Sequence, residues 1–142
     1  MREWLVRMVG AEHAHQLAKE CRRLEVAAGD VIVRQGDGAN SMHFILEGRV
    51  GIVVNGGGRP KVRVRSLGAH TTIGEMGLIA GQARSATIEA EVPSVLYVLG
   101  ADAFERVRKT NPALFQALLA YVVTVMAERL SFANRAIEAL QR

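Results

Sequence analysis

Ile73-Gly74-Glu75-Met76-Gly77-Leu78-Ile79-Ala80-Gly81-Gln82-Ala83-Arg84-Ser85-Ala86-Thr87 is where the period of the sequence changes. Glycines at 74 and 77 bracket an acid, an apolar turn follows, and Gly81 closes it before Arg84 leads into a new run. The pattern predicts a short helical turn between strands. Unpaired N–H groups and the positive dipole end coincide at the start of such a turn, which makes it an anion site. Glycine there lets a ligand come close to the backbone.

Outward on both sides the sequence reads as strand. Val26, Val31, Ile32, Val33, Phe44, Ile45, Leu46, Val50, Ile52, Val53 and Val54 fall in short apolar runs. Each run stops at a turn signal: Ala28-Gly29-Asp30, Gln35-Gly36-Asp37-Gly38, Glu47-Gly48-Arg49 and Asn55-Gly56-Gly57-Gly58. Stops every 7–12 residues or so describe a compact antiparallel structure, and Asn55-Gly56 is a favoured hairpin tip. Lys61-Val62-Arg63-Val64-Arg65 alternates strictly, so its basic row is either a solvated outer face or an anion track. Two more strands, Ser85 to Val92 and Val95 to Leu99, part at Pro93-Ser94.

Helices flank the strands. Leu5, Val6, Val9, His13, Leu17 and Cys21 recur at helical steps and predict one helix within 1–22. Asp102 is placed to cap a short helix through Lys109, and Asn111 with Pro112 opens a longer one. Leu119, Val122, Met126, Leu130, Ala133, Ile137 and Leu140 then form an apolar stripe, read as core or as a partner-helix seam. The expected fold is α+β, one domain over 1–142. It comprises a helix (1–22), an antiparallel β-roll of about eight strands over 23–100 (a double-stranded β-helix or jelly roll), and two C-terminal helices (101–142).

Composition narrows the function. A chain of 142 residues with 49% hydrophobic and 23% charged residues suits one globular domain. Its net charge of +4 is mild and compatible with an anionic small ligand. Cys21 is the single cysteine, so no intrachain disulfide forms, and a reducing, cytoplasmic setting is expected. The start lacks a secretory apolar stretch, and the longest apolar run, Ala117 to Ala127, is about half of a membrane span.

Two side chains carry the chemistry of the central stretch. A guanidinium such as Arg84 anchors two oxygens of a singly charged phosphodiester at once, with the Ser85 hydroxyl as a further donor. Glu75 accepts from a sugar hydroxyl. A Glu75–Arg84 salt bridge that merely stabilises a loop fits the spacing equally well.

The run Gly74 to Ile79, followed by Ala83-Arg84-Ser85-Ala86-Thr87, resembles the phosphate-binding cassette (73–87) of cyclic nucleotide-binding domains. Two supporting stretches, Gly29 to Asp37 and Met42 to Val50, stand upstream in the family's order, and the similarity covers nearly the whole chain. The resemblance implies Glu75 on the ribose 2′-hydroxyl, Arg84 and Ser85 on the cyclic phosphate, and assisting amides of Gly74, Met76 and Ala86. It implies a base pocket of Val62, Val64 and Leu67, with Asn134 on the C-terminal helix. Ser85, where cGMP binders often carry threonine, implies cAMP over cGMP. Ala83 in place of proline and Gly77 in place of alanine should loosen the cassette slightly.

The tail, notably Glu128-Arg129-Leu130 and Ala133-Asn134-Arg135, resembles such domains at the cytoplasmic end of bacterial sulfate-permease-type anion transporters. The implied role is regulatory, with occupancy setting the position of the C-terminal helices. Expected partners are the cyclic nucleotide, an attached transporter and a second copy through the C-terminal helices, with no direct nucleic acid, membrane insertion, cofactor or metal. Three other readings stay open. One is the sensory part of a transcription regulator without its DNA-binding domain. Another is a ligand-free dimerisation module. The last is a cupin-type metal enzyme, for which His13, His15, His43 and His70 are the only imidazoles and His13 and His15 are wrongly spaced on a helix.

Overall fold

A computed structural model of the chain describes residues 2–38, 40–55 and 60–141, with nothing stated for the Arg2 side chain. The order is α1 (Arg2–Val9), α2 (Ala11–Glu20), β1 (Arg22–Val26), β2 (Val31–Val33), β3 (Ser41–Glu47), β4 (Arg49–Val54), β5 (Val62–Gly68), β6 (Thr71–Ile73), α3 (Glu75–Ala80), β7 (Thr87–Ala90), β8 (Ser94–Gly100), α4 (Ala101–Thr110) and α5 (Pro112–Leu140). Eight antiparallel strands make two four-stranded sheets, ordered β1-β8-β3-β6 and β2-β7-β4-β5. This is the expected α+β roll.

Alternation along β3 and β8 divides the core in two. Ile45 and Leu96 point into the roll, where they meet Val50, Leu67, Ile73 and Ile88. Met42, Phe44, Leu46 and Leu99 point the other way, onto Trp4 and Leu5 of α1, Leu17 of α2, Phe104 of α4 and Leu114, Leu118 and Val122 of α5. The two sheets thus close on an apolar interior, and a helical layer covers one outer face. Trp4 stacks on His70 at 5.3 Å and meets Phe44 and Tyr121 edge-on, tying α1 to the β5–β6 turn and to α5.

Several expectations need correction. The N-terminal helix is two helices: Gly10, at φ 90°, separates α1 from α2. Asp102 lies within the first turn of α4, and the capping position is Gly100. Asn111 does cap α5, its Oδ1 accepting from Leu114 N at 3.2 Å with Pro112 next in line. The expected turn at Asn55-Gly56 runs into residues 56–59, outside the described residues. At 29 residues α5 is long and apolar enough, by length and composition, to cross a membrane, although Leu114, Leu118, Val122 and Val125 pack it onto the fold.

The basic row divides at β5: Lys61 and Arg63 lie on the outer face with partners, whereas Arg65, beyond a bulge at Val64, shares the face of Leu67 and meets α5. Lys61 pairs with Glu89 at 3.2 Å, Arg63 with Glu91 at 3.4 Å, and the Arg65 guanidinium lies 4.1 Å over the Phe132 ring of α5. Exposed ion pairs of this kind contribute little stability, typically below about 1 kcal/mol.

Candidate functional site

The central stretch folds as predicted, a short helix set between β6 and β7. Gly74 and Gly81 flank α3 in the left-handed region (φ 81° and 71°), which glycine enters without steric cost. The loop after β2 clamps the far end: Gly36 N donates to Arg84 O at 2.8 Å, and Arg84 N donates to Asp37 O at 2.9 Å. Gln35 N donates to Thr87 Oγ1 at 3.0 Å, so three successive residues of this loop hold the segment that leads into β7.

These bonds aim the Arg84 side chain back across the turn. Its Nη1 donates to Gly74 O at 3.2 Å, and its Nη2 donates to Ser41 O at 2.7 Å and to Ser41 Oγ at 3.3 Å. The guanidinium is buried; burial lowers its pKa below the ordinary value, while Glu75 nearby raises it. A fork with five donors still has capacity to spare after these contacts. Glu75 is buried as well, and its partner is Arg129 of α5, whose Nη1 donates to Oε1. The other amino group of Arg129 donates to Thr72 O on β6. The loop-stabilising Glu75–Arg84 pair does not describe this arrangement: the carboxylate goes to Arg129 and the guanidinium to backbone carbonyls.

Gly74, Glu75, Met76, Arg84, Ser85 and Ala86 come together on one cavity of about 340 Å³, with Val33, Ile52, Ile73 and Ile88 as its apolar wall and Gln82 and Arg129 at its edge. Cavities of a few hundred Å³ hold small molecules. One side offers a cation and the first amides of α3, another a carboxylate, and the floor is aliphatic. An amphipathic anion with hydroxyl groups fits such a lining.

The expected base-pocket residues do not line this cavity. β5 is the edge strand of its sheet, and a bulge at Val64 re-phases it. Lys61 and Arg63 take the outer face, while Val62 and Val64 are left 58% and 56% exposed, away from the cavity lining. Leu67 is buried in the roll core behind the cavity. Asn134 is exposed on α5, five residues past Arg129, so its side chain points about 140° around the helix from it. The cavity's apolar wall comes instead from β2, β4, β6 and β7.

Arg129 is the site residue that sequence reading missed. A signal was present: Leu118, Val122 and Val125 form the body-facing stripe of α5 at steps of four and three, and Arg129 continues it by four. A lone charge on that stripe needs a buried partner. Burial lowers the pKa of its guanidinium, and the nearby Glu75 carboxylate raises it. Among the described residues no group of three or more His, Cys, Asp or Glu is placed to hold a metal ion, and His13 and His43 lie on separate elements, α2 and β3.

Arg84, Glu75 and the start of α3 thus line one cavity between the two sheets, at the edge where α5 reaches the roll. The chain belongs to the cyclic nucleotide-binding domain family, whose profile matches residues 23–111, more than half of its length. It is 33% identical over 114 residues to a cyclic nucleotide-gated potassium channel of Rhizobium etli, covering 80% of this chain and 30% of the channel. It is 34% identical over 83 residues to a cAMP-dependent protein kinase regulatory subunit of Blastocladiella emersonii, covering 58% of this chain and 21% of the subunit. A solved cyclic nucleotide-binding domain from Methylobacillus flagellatus superposes with a TM-score of 0.89 at 22% identity, over 97% of this chain and 83% of that one. The chain spans less than a third of the two curated relatives. It is a cyclic nucleotide-binding regulatory domain.

Proposed function

We propose that the cavity binds cAMP in preference to cGMP, and that its occupancy is passed to α5. The observation that carries the reading is that Arg84 and Glu75 line one cavity together with the start of α3. Arg84 and Ser85 take the cyclic phosphate, with the amides of Gly74, Met76 and Ala86. Glu75 takes the ribose hydroxyl, which separates the ligand's charge from the carboxylate. Ser85 in place of threonine favours adenine. α5 is the output because Arg129 joins it directly to Glu75 and to β6. Isothermal titration with cAMP and cGMP side by side tests this: cAMP is expected to bind more tightly, and failure of both to bind sinks the reading.

Val123, Met126, Leu130, Ile137 and Leu140 of α5 are all exposed, and with Ala133 they repeat at alternating steps of three and four. That period is a coiled-coil seam and favours a second copy of the chain as partner. Sedimentation is expected to show a dimer that Leu130→Asp dissociates. The lone thiol of Cys21 and the ligand class support a cytoplasmic setting. The sulfate-permease output implied by the tail draws no support from the relatives above, whose names describe a channel and a kinase subunit.

A further inference from the structure

The two oxygens of the Glu75 carboxylate are in different situations. Oε1 accepts from Arg129, whereas Oε2 is buried and has no donor among the described residues. Buried acceptors are rarely left without a donor, because nothing replaces the water they give up. The planar Arg129 fork spans Glu75 and the Thr72 carbonyl, so it fixes the orientation of the carboxylate relative to β6.

We infer that Arg129 is a positioning residue of the sugar subsite: by holding Oε1 it leaves Oε2 as the acceptor for the ligand's 2′-hydroxyl. This rests on the cyclic nucleotide reading of the cavity. A hydroxyl brings one proton and Oε2 lacks one, so ligand and arginine share the carboxylate and do not compete for it. The 2′-hydroxyl is then read by a pair of side chains from two elements, α3 and α5, and α5 belongs to the binding site itself.

The test is calorimetry with cAMP and 2′-deoxy-cAMP on the whole chain, its Arg129→Gln and Arg129→Lys variants and the Glu75→Gln variant, with circular dichroism as a check on folding. The unaltered chain is expected to prefer cAMP by roughly tenfold or more, the worth of one hydrogen bond to a buried charged acceptor. Arg129→Gln is expected to shrink that preference to within about threefold while 2′-deoxy-cAMP affinity changes little. Arg129→Lys, charged but without the fork, is expected to shrink it too. Adding Arg129→Gln to Glu75→Gln should have no further effect on the preference. An unchanged preference in Arg129→Gln and Arg129→Lys overturns the inference, as does equal loss of both ligands. Tighter binding of both overturns it as well, marking Arg129 as a competitor. If the unaltered chain binds neither nucleotide, the reading of the cavity itself fails.

Discussion

Gly74 and Arg84 share a volume that only glycine leaves open. A Cβ built at position 74 would overlap Arg84 Nη1, with Ser41 O a further 3.1 Å neighbour, and φ there is 81°. The arginine lies flat against the bare backbone and bonds to its carbonyl oxygen. The glycine at the start of α3 thus shapes the Arg84 side of the cavity twice, by the turn it permits and by the space it yields.

Gly74→Ala is therefore expected to cost stability and binding together. The left-handed conformation alone costs a side chain on the order of 1–2 kcal/mol. Displacement of Arg84 then weakens nucleotide affinity. Chemical denaturation and calorimetry read the two effects, and a variant with unaltered affinity would show that Arg84 does not use this position.

Arg84→Ala should lower cAMP affinity by about 2–5 kcal/mol, since the phosphate loses its charged partner at a buried position. Arg84→Lys keeps the charge without the fork and should recover only part of the loss. Unchanged affinity in the alanine variant, measured by calorimetry, would remove Arg84 from the site.

His43 predicts an acid-sensitive fold. It is buried on β3, and its Nδ1 has no partner among the described residues. Burial, then Arg84 and then Arg22 push its pKa down from 6.5 to about 4. Between these values the unfolded chain binds a proton that the native chain refuses. The contribution is full above about pH 6.5 and is lost as pH falls toward 4, amounting to roughly 3 kcal/mol. Urea melts from pH 7 to 4 should show this slope, and His43→Leu should flatten it.

Cys21 should resist thiol reagents. Burial and the neighbouring Glu20 push its thiol up to about 12 from 9.0. Near neutral pH that leaves roughly a thousandfold less thiolate than an unhindered cysteine. Reaction with Ellman's reagent is expected to be slow on the native chain and rapid once it is unfolded.

The strands, the α3 turn and the Asn111 cap were legible because each depends on local pattern: period two, a glycine frame, an amide acceptor before proline. Arg84 and Glu75 were legible because the turn holds them both. The exposure of Val62 and Val64 was not legible, because strict alternation cannot show a bulge, nor tell that β5 lies at a sheet edge. Gly10 misled because helical spacing carries straight across it, while its positive φ does not. Arg129 lies 54 residues from Glu75, and only tertiary packing reveals that they meet.

The length of α5 has a mechanical consequence. Beyond Phe132, where the Arg65 guanidinium rests on the ring, the helix runs eight more residues to Leu140, about 12 Å. A tilt of about 10° around that ring would swing Leu140 sideways by roughly 2 Å, on a rigid rod of that length. In such a tilt the cation on the aromatic face would be the fulcrum, and the exposed tip would turn a small adjustment into a larger displacement.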